Sequence, residues 1–305
     1  MTKLGDNIYI LCGWFEFRQN VLPSIRVYES RHPFNLLWLI SIDEMLGSPI
    51  DIVSSEKANC LYVSDEAWIY KIDLHICQLV RWKSGANFRD ILMSISNEGD
   101  LIKLISVNSN FEVGIYRQDA LRIKNFQLQP RRLSDIWKAK QAIQTPGGKF
   151  VIICEYTQME YCRRGWSWHD WNIGWQLIIV GGLVLVDSNG VEIKRLAYDV
   201  YRKDLPICLT DISYRYRDRL PLPSFDHNSF QRLFINSHRS RLHAFTFHNE
   251  DNLVLLDMNS LEWKHVLLTI KTRCHNLLKV WYEDETKLLI LGCDNIVRVY
   301  TVTEM

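Results

Sequence analysis

Three short segments of the sequence combine arginine with aromatic or other basic residues, a composition suited to binding a ligand. They are residues 161–171 (YCRRGWSWHDW), 214–223 (YRYRDRLPLP) and 238–241 (HRSR). Tryptophan and arginine side chains stack on nucleic-acid bases and also anchor protein partners. The candidate binding residues are Arg163, Arg164, Trp166, Trp168, Trp171, Arg215, Arg217, Arg239 and Arg241. The alternative is that the tryptophans pack a long loop onto the fold while the arginines are solvated.

The residues with catalytic or metal-binding potential do not form a recognisable set. His238, His243 and His248 recur every five residues, and residues i and i+5 of a strand point to opposite faces. The acidic residues 283–285 fit a solvated turn, and the sequence contains no H-x-x-x-H, G-x-S-x-G or Walker pattern. We therefore predict no catalytic residue, no metal ligand and no cofactor. This favours a non-enzymatic protein but leaves an enzyme open.

Composition limits the class of protein. The chain has 305 residues, of which 47% are hydrophobic, and a net charge of +1, which excludes a disordered chain. A whole-surface nucleic-acid binder is normally clearly basic, so any nucleic-acid contact would be a local patch. The eight cysteines form no C-x-x-C pair and most lie in apolar runs, so we expect buried thiols in a cytoplasmic protein.

Neither the N-terminus nor the most apolar run predicts a membrane association. The first six residues lack the basic and apolar regions of a secretory signal. Residues 173–186 are too short for a membrane span, which needs about 20 residues. We interpret them as two buried strands joined by Gly181-Gly182.

Short apolar or alternating runs recur along the whole chain and are separated by polar turns. Residues 7–12, 24–28 and 36–42 are examples, and this pattern is typical of many short antiparallel strands. Amphipathic helices are nearly absent, although residues 133–144 fit either a short helix or a strand. The fold class is therefore all-β. Aromatic residues on repeated strand positions, where blade faces need bulk, are Trp38, Tyr62, Trp68, Tyr70, Trp82, Tyr116, Trp263, Trp281 and Tyr300.

A four-stranded unit recurs in one order along the chain. Units of this kind, 40–50 residues long, are typical of β-propeller blades. We predict a single β-propeller domain over residues 1–305, most simply of six blades with mainly four antiparallel strands each. The predicted blades are approximately 7–43, 48–84, 88–128, 135–198, 205–269 and 273–302. Five or seven blades, a large β-sandwich and two small β-domains are the alternatives.

One unit resembles a known repeat. Residues 48–73 contain Pro49-Ile-Asp-Ile, Leu61-Tyr-Val-Ser-Asp65 and Ile69-Tyr-Lys-Ile-Asp73, and this order is similar to that of an NHL-type repeat. Residues 253–257 and 289–292 resemble the closing blades of such propellers. The resemblance implies a platform that binds protein or RNA, whereas related six-bladed rings include metal-dependent hydrolases, so the fold does not choose a function.

These observations leave three hypotheses for function. The leading one is a monomeric, non-enzymatic platform that grips a protein partner through loops on one propeller face. The second is single-stranded RNA binding by the local Arg/Trp patch. The third is a hydrolase with an axial metal ion, for which Asp51, Asp65, Asp90 and Asp211 lie near strands that could approach the axis. Bracing of turns explains Asp65 and Asp257 better than an axial site does.

Overall fold

The computed structural model describes the chain as an all-β protein. It describes residues 1–12, 15–16, 19–20, 23–31, 33–42, 45, 49–65, 67–76, 78–84, 92–107, 110–128, 136–164, 172–198, 206–207, 230–236, 241–248, 250–261, 263–270, 279–282, 287–291 and 297–301. Within these residues no helix is present and every paired strand is antiparallel to its neighbour. The sequence of residues 133–144 fits either a short helix or a strand, and in the structure most of these residues form a strand, Ile136–Gln144.

The N-terminal half forms three four-stranded sheets. The first sheet contains β1 Thr2–Leu4, β2 Asn7–Cys12, β5 Ser24–Glu29 and β6 Leu36–Ser41, with a small separate hairpin of β3 Phe15–Glu16 and β4 Gln19–Asn20. The second sheet contains β7 Asp51–Ser55, β8 Cys60–Ser64, β9 Trp68–Asp73 and β10 Gln78–Ser84. The third contains β11 Ser94–Ile95, β12 Leu101–Val107, β13 Asn110–Tyr116 and β14 Arg122–Gln127.

The described residues of the C-terminal half form three further sheets of five, four and three strands. The fourth sheet contains β15 Ile136–Gln144, β16 Phe150–Arg164, β17 Asn172–Val186, β18 Glu192–Tyr198 and β19 Pro206–Ile207. The fifth contains β20 Phe230–Asn236, β21 Arg241–His248, β22 Glu250–Leu256 and β23 Trp263–Ile270. The last contains β24 Lys279–Tyr282, β25 Lys287–Leu291 and β26 Val297–Thr301.

The first strand of each sheet lies at the centre of the molecule. β1 contacts β7, β7 contacts β11, β11 contacts β15, β15 contacts β20 and β20 contacts β24. β24 in turn contacts β1, so these strands close a ring. Sheets that radiate from a closed ring of inner strands define a β-propeller. The sequence did not predict the three-residue strand β1, because Thr2–Leu4 is too short to show an alternating pattern.

Period-two alternation explains how the second sheet packs on both neighbours. One set of its side chains joins a core with Ile25 and Val27 of the first sheet, and the other set packs with Met93 and Tyr116 of the third. The first set is Ile52, Leu61, Val63, Tyr70 and Ile72. The second set is Val53, Cys60, Tyr62 and Ile69. Both faces are therefore apolar, since each blade is covered on two sides.

Four turns share one hydrogen-bonding pattern. They span residues 96–100, 117–121, 145–149 and 187–191. In each, the fourth N–H donates to the first carbonyl and the first N–H donates to the fifth carbonyl. The fourth residue has a positive φ and is Gly99, Gly148 or Gly190 in three turns but Ala120, at φ 64°, in the other. This is the type I turn with a following left-handed residue that joins twisted antiparallel strands.

Candidate protein-binding arm

The two central strands of the fourth sheet continue past the body of that sheet as a two-stranded arm. β16 and β17 pair in one unbroken register from Phe150↔Val186 to Arg164↔Asn172. The inner neighbour β15 stops pairing at Tyr156, and the outer neighbour β18 stops pairing at Gly182. Thr157–Arg164 of β16 therefore pair only with β17 within the described part of the sheet. Eight residues at about 3.3 Å each give an arm of about 26 Å.

The arm corrects two interpretations of the sequence. The apolar run at residues 150–156 predicts a strand that ends at Tyr156, with residues 161–171 in an insertion after it, whereas β16 runs to Arg164. Residues 173–186 were expected to form two strands joined by Gly181-Gly182, but β17 is continuous through both glycines. Gly181 pairs with Glu155 and Gly182 with Cys154. Glycine weakens a strand without breaking it when the ladder continues on both sides.

Three of the nine candidate binding residues lie within described strands. Arg163 pairs with Ile173 and Arg164 with Asn172 at the far end of the arm, and Arg241 pairs with Asn236 at the start of β21. The other candidates, Trp166, Trp168, Trp171, Arg215, Arg217 and Arg239, lie outside the described residues. The backbone thus places two of the candidates at one structural feature, the end of the arm.

The topology assigns the described arginines to the two ends of the ring. Each sheet starts with its inner strand, so all turns between first and second strands fall at one end, which we call the first-turn end. Hydrogen bonds join neighbouring sheets there: Ser54 Oγ donates to the Lys3 carbonyl at 2.6 Å and Ser55 Oγ to the Gly99 carbonyl at 2.7 Å. Arg241 starts the second strand of its sheet, at this end, whereas Arg164 finishes the second strand of its own sheet, at the opposite end.

The carboxylates near the inner strands have structural partners. Asp65 is buried and its carboxylate accepts hydrogen bonds from the N–H groups of Ala67 and Trp68 and from the Tyr70 hydroxyl, at 2.6–2.9 Å. Asp257 likewise accepts from two backbone N–H groups of its own turn. Both therefore brace turns, as the sequence predicted. Asp90 and Asp211 lie outside the described residues.

Asp51 links the second and third sheets. Its buried carboxylate accepts a hydrogen bond from the Met93 N–H at 2.9 Å, across the sheet boundary. The described residues contain no group of three or more His, Cys, Asp or Glu side chains placed to hold a metal ion. Asp51 is thus engaged in joining blades.

Two of the predicted buried thiols lie in the core. Cys60 and Cys154 are free and buried, whereas Cys12 is partly exposed. Burial raises the pKa of the Cys60 thiol above its ordinary value because the apolar surroundings disfavour the thiolate. None of the described residues belongs to a helix with the length and apolarity needed for a membrane crossing.

The comparisons with known proteins define the fold class. The chain is similar to hydrazine synthase from Kuenenia stuttgartiensis, with a TM-score of 0.51 and 12% identity over 92% of this chain and 78% of that one. It is equally similar to a protein of unknown function from Bacteroides caccae, with a TM-score of 0.51 and 8% identity over 88% and 78% of the two chains. YCF48, solved with a bound D1 peptide, gives a TM-score of 0.50 and 13% identity over 100% of this chain and 77% of that one.

No protein-family profile matches the sequence, and no curated protein matches it. YCF48 is a β-propeller, and this agrees with the closed ring of inner strands described above for the present chain. At these identities the similarity establishes the propeller fold alone. The NHL-type resemblance of residues 48–73 stays a prediction.

The exposure of the first sheet's outer strand is a further feature that the sequence does not reveal. Trp38 was expected to fill a blade face, but it is 45% exposed, in contrast to Tyr62, Tyr70 and Tyr116, which are fully buried. The sequence marks residues 36–42 as an apolar strand but does not show that this strand lies at the rim.

Proposed function

We propose that this chain is a six-bladed, NHL-like propeller that acts as a non-enzymatic protein-binding platform, with the β16–β17 arm as its main contact element. The observation that carries the proposal is the unbroken pairing of β16 and β17 for eight residues beyond Tyr156, the last residue of β16 that pairs with its inner neighbour in the described structure. A two-stranded ribbon is marginally stable in isolation, so an extension of this length is expected to serve a contact.

The composition of the arm supports a protein partner. Its first strand, β16, ends in Arg163 and Arg164, and the sequence between Arg164 and Asn172 contains Trp166, Trp168 and Trp171. Tryptophan and arginine are the residues most enriched among those that dominate the binding energy of protein interfaces. YCF48, a propeller of similar fold, is bound to a D1 peptide in its solved structure.

Compartment and assembly complete the proposal. Free, buried Cys60 and Cys154 fit a reducing environment such as the cytoplasm. The ring closes through contacts between β1 and β24 of the same chain, which fits a monomer. The six sheets of three to five strands in the described residues support a count of six blades.

The test is a shortened arm. Joining Tyr156 to Val180 through Asn-Gly removes residues 157–179 and closes a two-residue hairpin on an existing cross-strand pair. The melting temperature should stay near that of the wild type, because the deleted segments of β16 and β17 pair with each other rather than with the ring. Proximity labelling in cells, compared quantitatively between the two proteins, should lose a discrete set of partners.

A pair of point variants separates contact from fold. The double variant Trp166→Ala/Trp168→Ala should weaken a partner identified in this way by about 30-fold, the effect of losing about 2 kcal/mol. Lys57→Ala is the matched control, because Lys57 is exposed at the first-turn end, in an ion pair with Glu98. A partner set that survives arm shortening unchanged would refute the proposal.

Single-stranded RNA is the second candidate, favoured by the two adjacent arginines at the end of the arm. Binding of a fluorescent uridine 12-mer should then weaken with salt, with a log–log slope of about −2 to −3 for three or four phosphate contacts. Loss of that binding in the shortened-arm variant would assign the arm to RNA. A salt-insensitive signal or no binding would remove this candidate.

A further inference from the structure

The outer strand of the first sheet differs from the other outer strands that the structure describes. Four consecutive apolar side chains of β6, Leu36, Leu37, Trp38 and Leu39, are 38–55% exposed. Within the described residues β6 pairs only with β5, so no described strand lies along the other edge of residues 36–40. Its sequence, LLWLIS, contains no charged residue.

Two other outer strands carry the charges that normally block such an edge. β10 has Arg81, and β14 has Arg122 and Lys124. In the fourth sheet the outermost strand is β19, which is only two residues long and begins with Pro206. Lysine and arginine at a sheet edge prevent unwanted pairing because an incoming strand would have to desolvate them. β6 therefore has both the hydrogen-bonding groups and the apolar side chains that accept an added strand.

A depression beside β6 indicates what such a strand would carry. It has a volume of about 600 Å³ and lies between the first two sheets, with Asp6, Asn7, Trp38, Glu56 and Asn59 in its lining. The lining contains two carboxylates and no basic side chain. Trp38 reaches it because the register aligns Tyr9, Val27 and Trp38 across the first sheet, on the face that meets the second sheet.

Among the described residues, no tight ion pair neutralises the charge of the depression. Arg31 is the described partner of Asp6, at 3.9 Å, and both side chains are more than 80% exposed. Such an exposed ion pair contributes little to stability. Carboxylates next to an exposed indole form a site suited to a Lys or Arg side chain, through ion pairing and a cation–π contact.

We propose that β6 is a docking edge, at which an extended segment of a partner protein adds as a further strand and places a Lys or Arg side chain in the depression beside Trp38, Asp6 and Glu56. A second copy of this chain, paired edge to edge, would present LLWLIS, which has no cation to supply. This site belongs to the first sheet, whereas the arm belongs to the fourth, so the proposal stands independently of the proposed function.

The probe is a phage-displayed library of random nine-residue peptides, selected on the full-length protein and counter-selected on the Leu39→Lys variant. Leu39 is 55% exposed, so this substitution introduces an edge charge without disturbing the core. The matched control is Ile123→Lys on β14, 47% exposed on an outer strand that already carries charge. Selected peptides should be rich in β-branched residues, contain a Lys or Arg, and bind the wild type and Ile123→Lys equally.

Two measurements identify the mode of binding. N-methylation of the selected peptide at every second residue should reduce affinity at least tenfold, whereas the intervening positions should tolerate it, because alternate N–H groups of an added strand face the partner edge. The double variant Asp6→Asn/Glu56→Gln should weaken the Lys peptide about five- to tenfold and leave its norleucine analogue unchanged.

The proposal is overturned by several results. They are the absence of enriched peptides, enrichment without a basic residue, binding that Leu39→Lys leaves intact, and N-methylation effects without the two-residue period. Concentration-dependent dimerisation in analytical ultracentrifugation, abolished by Leu39→Lys, would instead identify a second copy as the occupant.

Discussion

The turn at Gly190 provides the sharpest test of how the third and fourth sheets pack. Gly190 and Gly148 occupy the same position of the same turn type, at φ 86° and 76°. Their surroundings differ. A Cβ atom on Gly148 would have no neighbour within 4 Å, whereas one on Gly190 would lie 2.3 Å from the Gln127 carbonyl oxygen and 2.6 Å from the Phe126 ring.

The cost of each alanine follows from these two environments. Gly148→Ala should destabilise by about 1 kcal/mol, the left-handed strain of a residue with a Cβ. Gly190→Ala adds overpacking against Phe126 and the backbone of Gln127, which costs about 1–3 kcal/mol more. Ala120 already occupies this turn position at φ 64°, which shows that the turn accepts alanine. Ala120→Gly should therefore stabilise by about 0.5–1 kcal/mol.

Urea unfolding followed by intrinsic fluorescence measures all three changes. The midpoint should fall slightly for Gly148→Ala, fall two to four times further for Gly190→Ala, and rise for Ala120→Gly, at a similar slope m. Equal losses for the two alanine variants would refute the packing of the 187–191 turn onto β14. A loss for Ala120→Gly would refute the strain argument itself.

Three further predictions address buried polar groups, pH and the thiols. Asp65→Ala should lower the free energy of unfolding by about 3 kcal/mol, because three donors lose their buried acceptor. The control is Asp187→Ala, at a partly exposed residue: its two donors can bond to water instead, so the loss should be less than about 1 kcal/mol. Equal losses in thermal unfolding would contradict this. Desolvation raises the pKa of the Asp100 carboxyl in the folded protein. Above this folded-state pKa, the ionised carboxylate lowers the free energy of unfolding. The loss disappears as the pH falls through the folded-state pKa and the carboxyl becomes protonated. Asp100→Asn should consequently stabilise the protein at neutral pH and lose its advantage in acid, whereas a pH-independent difference between the two unfolding midpoints would count against it. Desolvation raises the pKa of both Cys12 and Cys60, so exposure decides their reactivity. Buried Cys60 should resist iodoacetamide in peptide-resolved mass spectrometry while partly exposed Cys12 reacts, and equal labelling of both would contradict the buried position.

Much of the fold follows from alternation in the sequence. Tyr62 and Tyr70 were expected to fill blade faces and are fully buried, between different pairs of sheets. Asp65 was expected to brace a turn, and its carboxylate accepts two backbone N–H groups. These features are local, because a strand's pattern and the turn after it lie within a few residues of one another. Closure of the ring through β1 and β24 depends on contacts between the chain's two ends, which local pattern cannot reveal.

The arm shows where local reasoning about the site fails. Gly181-Gly182 was interpreted as a turn, because two adjacent glycines favour turns when nothing else is known. In the structure both residues pair with β16, and cross-strand partners on either side keep the strand extended. The register of fifteen residue pairs between β16 and β17 depends on both segments together, so it cannot be predicted from the sequence of either segment alone.

β6 presents the opposite case, in which local structure was predicted correctly and exposure was not. A run such as LLWLIS predicts a strand buried on both faces, and strand β6 forms, but its radial position decides what covers it. A middle strand such as β8 pairs with a strand on each edge and packs against a blade on each face, whereas an outer strand pairs on one edge only. The same residues would be core in β8, where Leu61, Tyr62 and Val63 are all fully buried. At the rim, the same apolar side chains stay exposed and can pack against an added strand. In our proposal, the carboxylates of the depression beside Trp38 then favour a strand that carries a Lys or Arg.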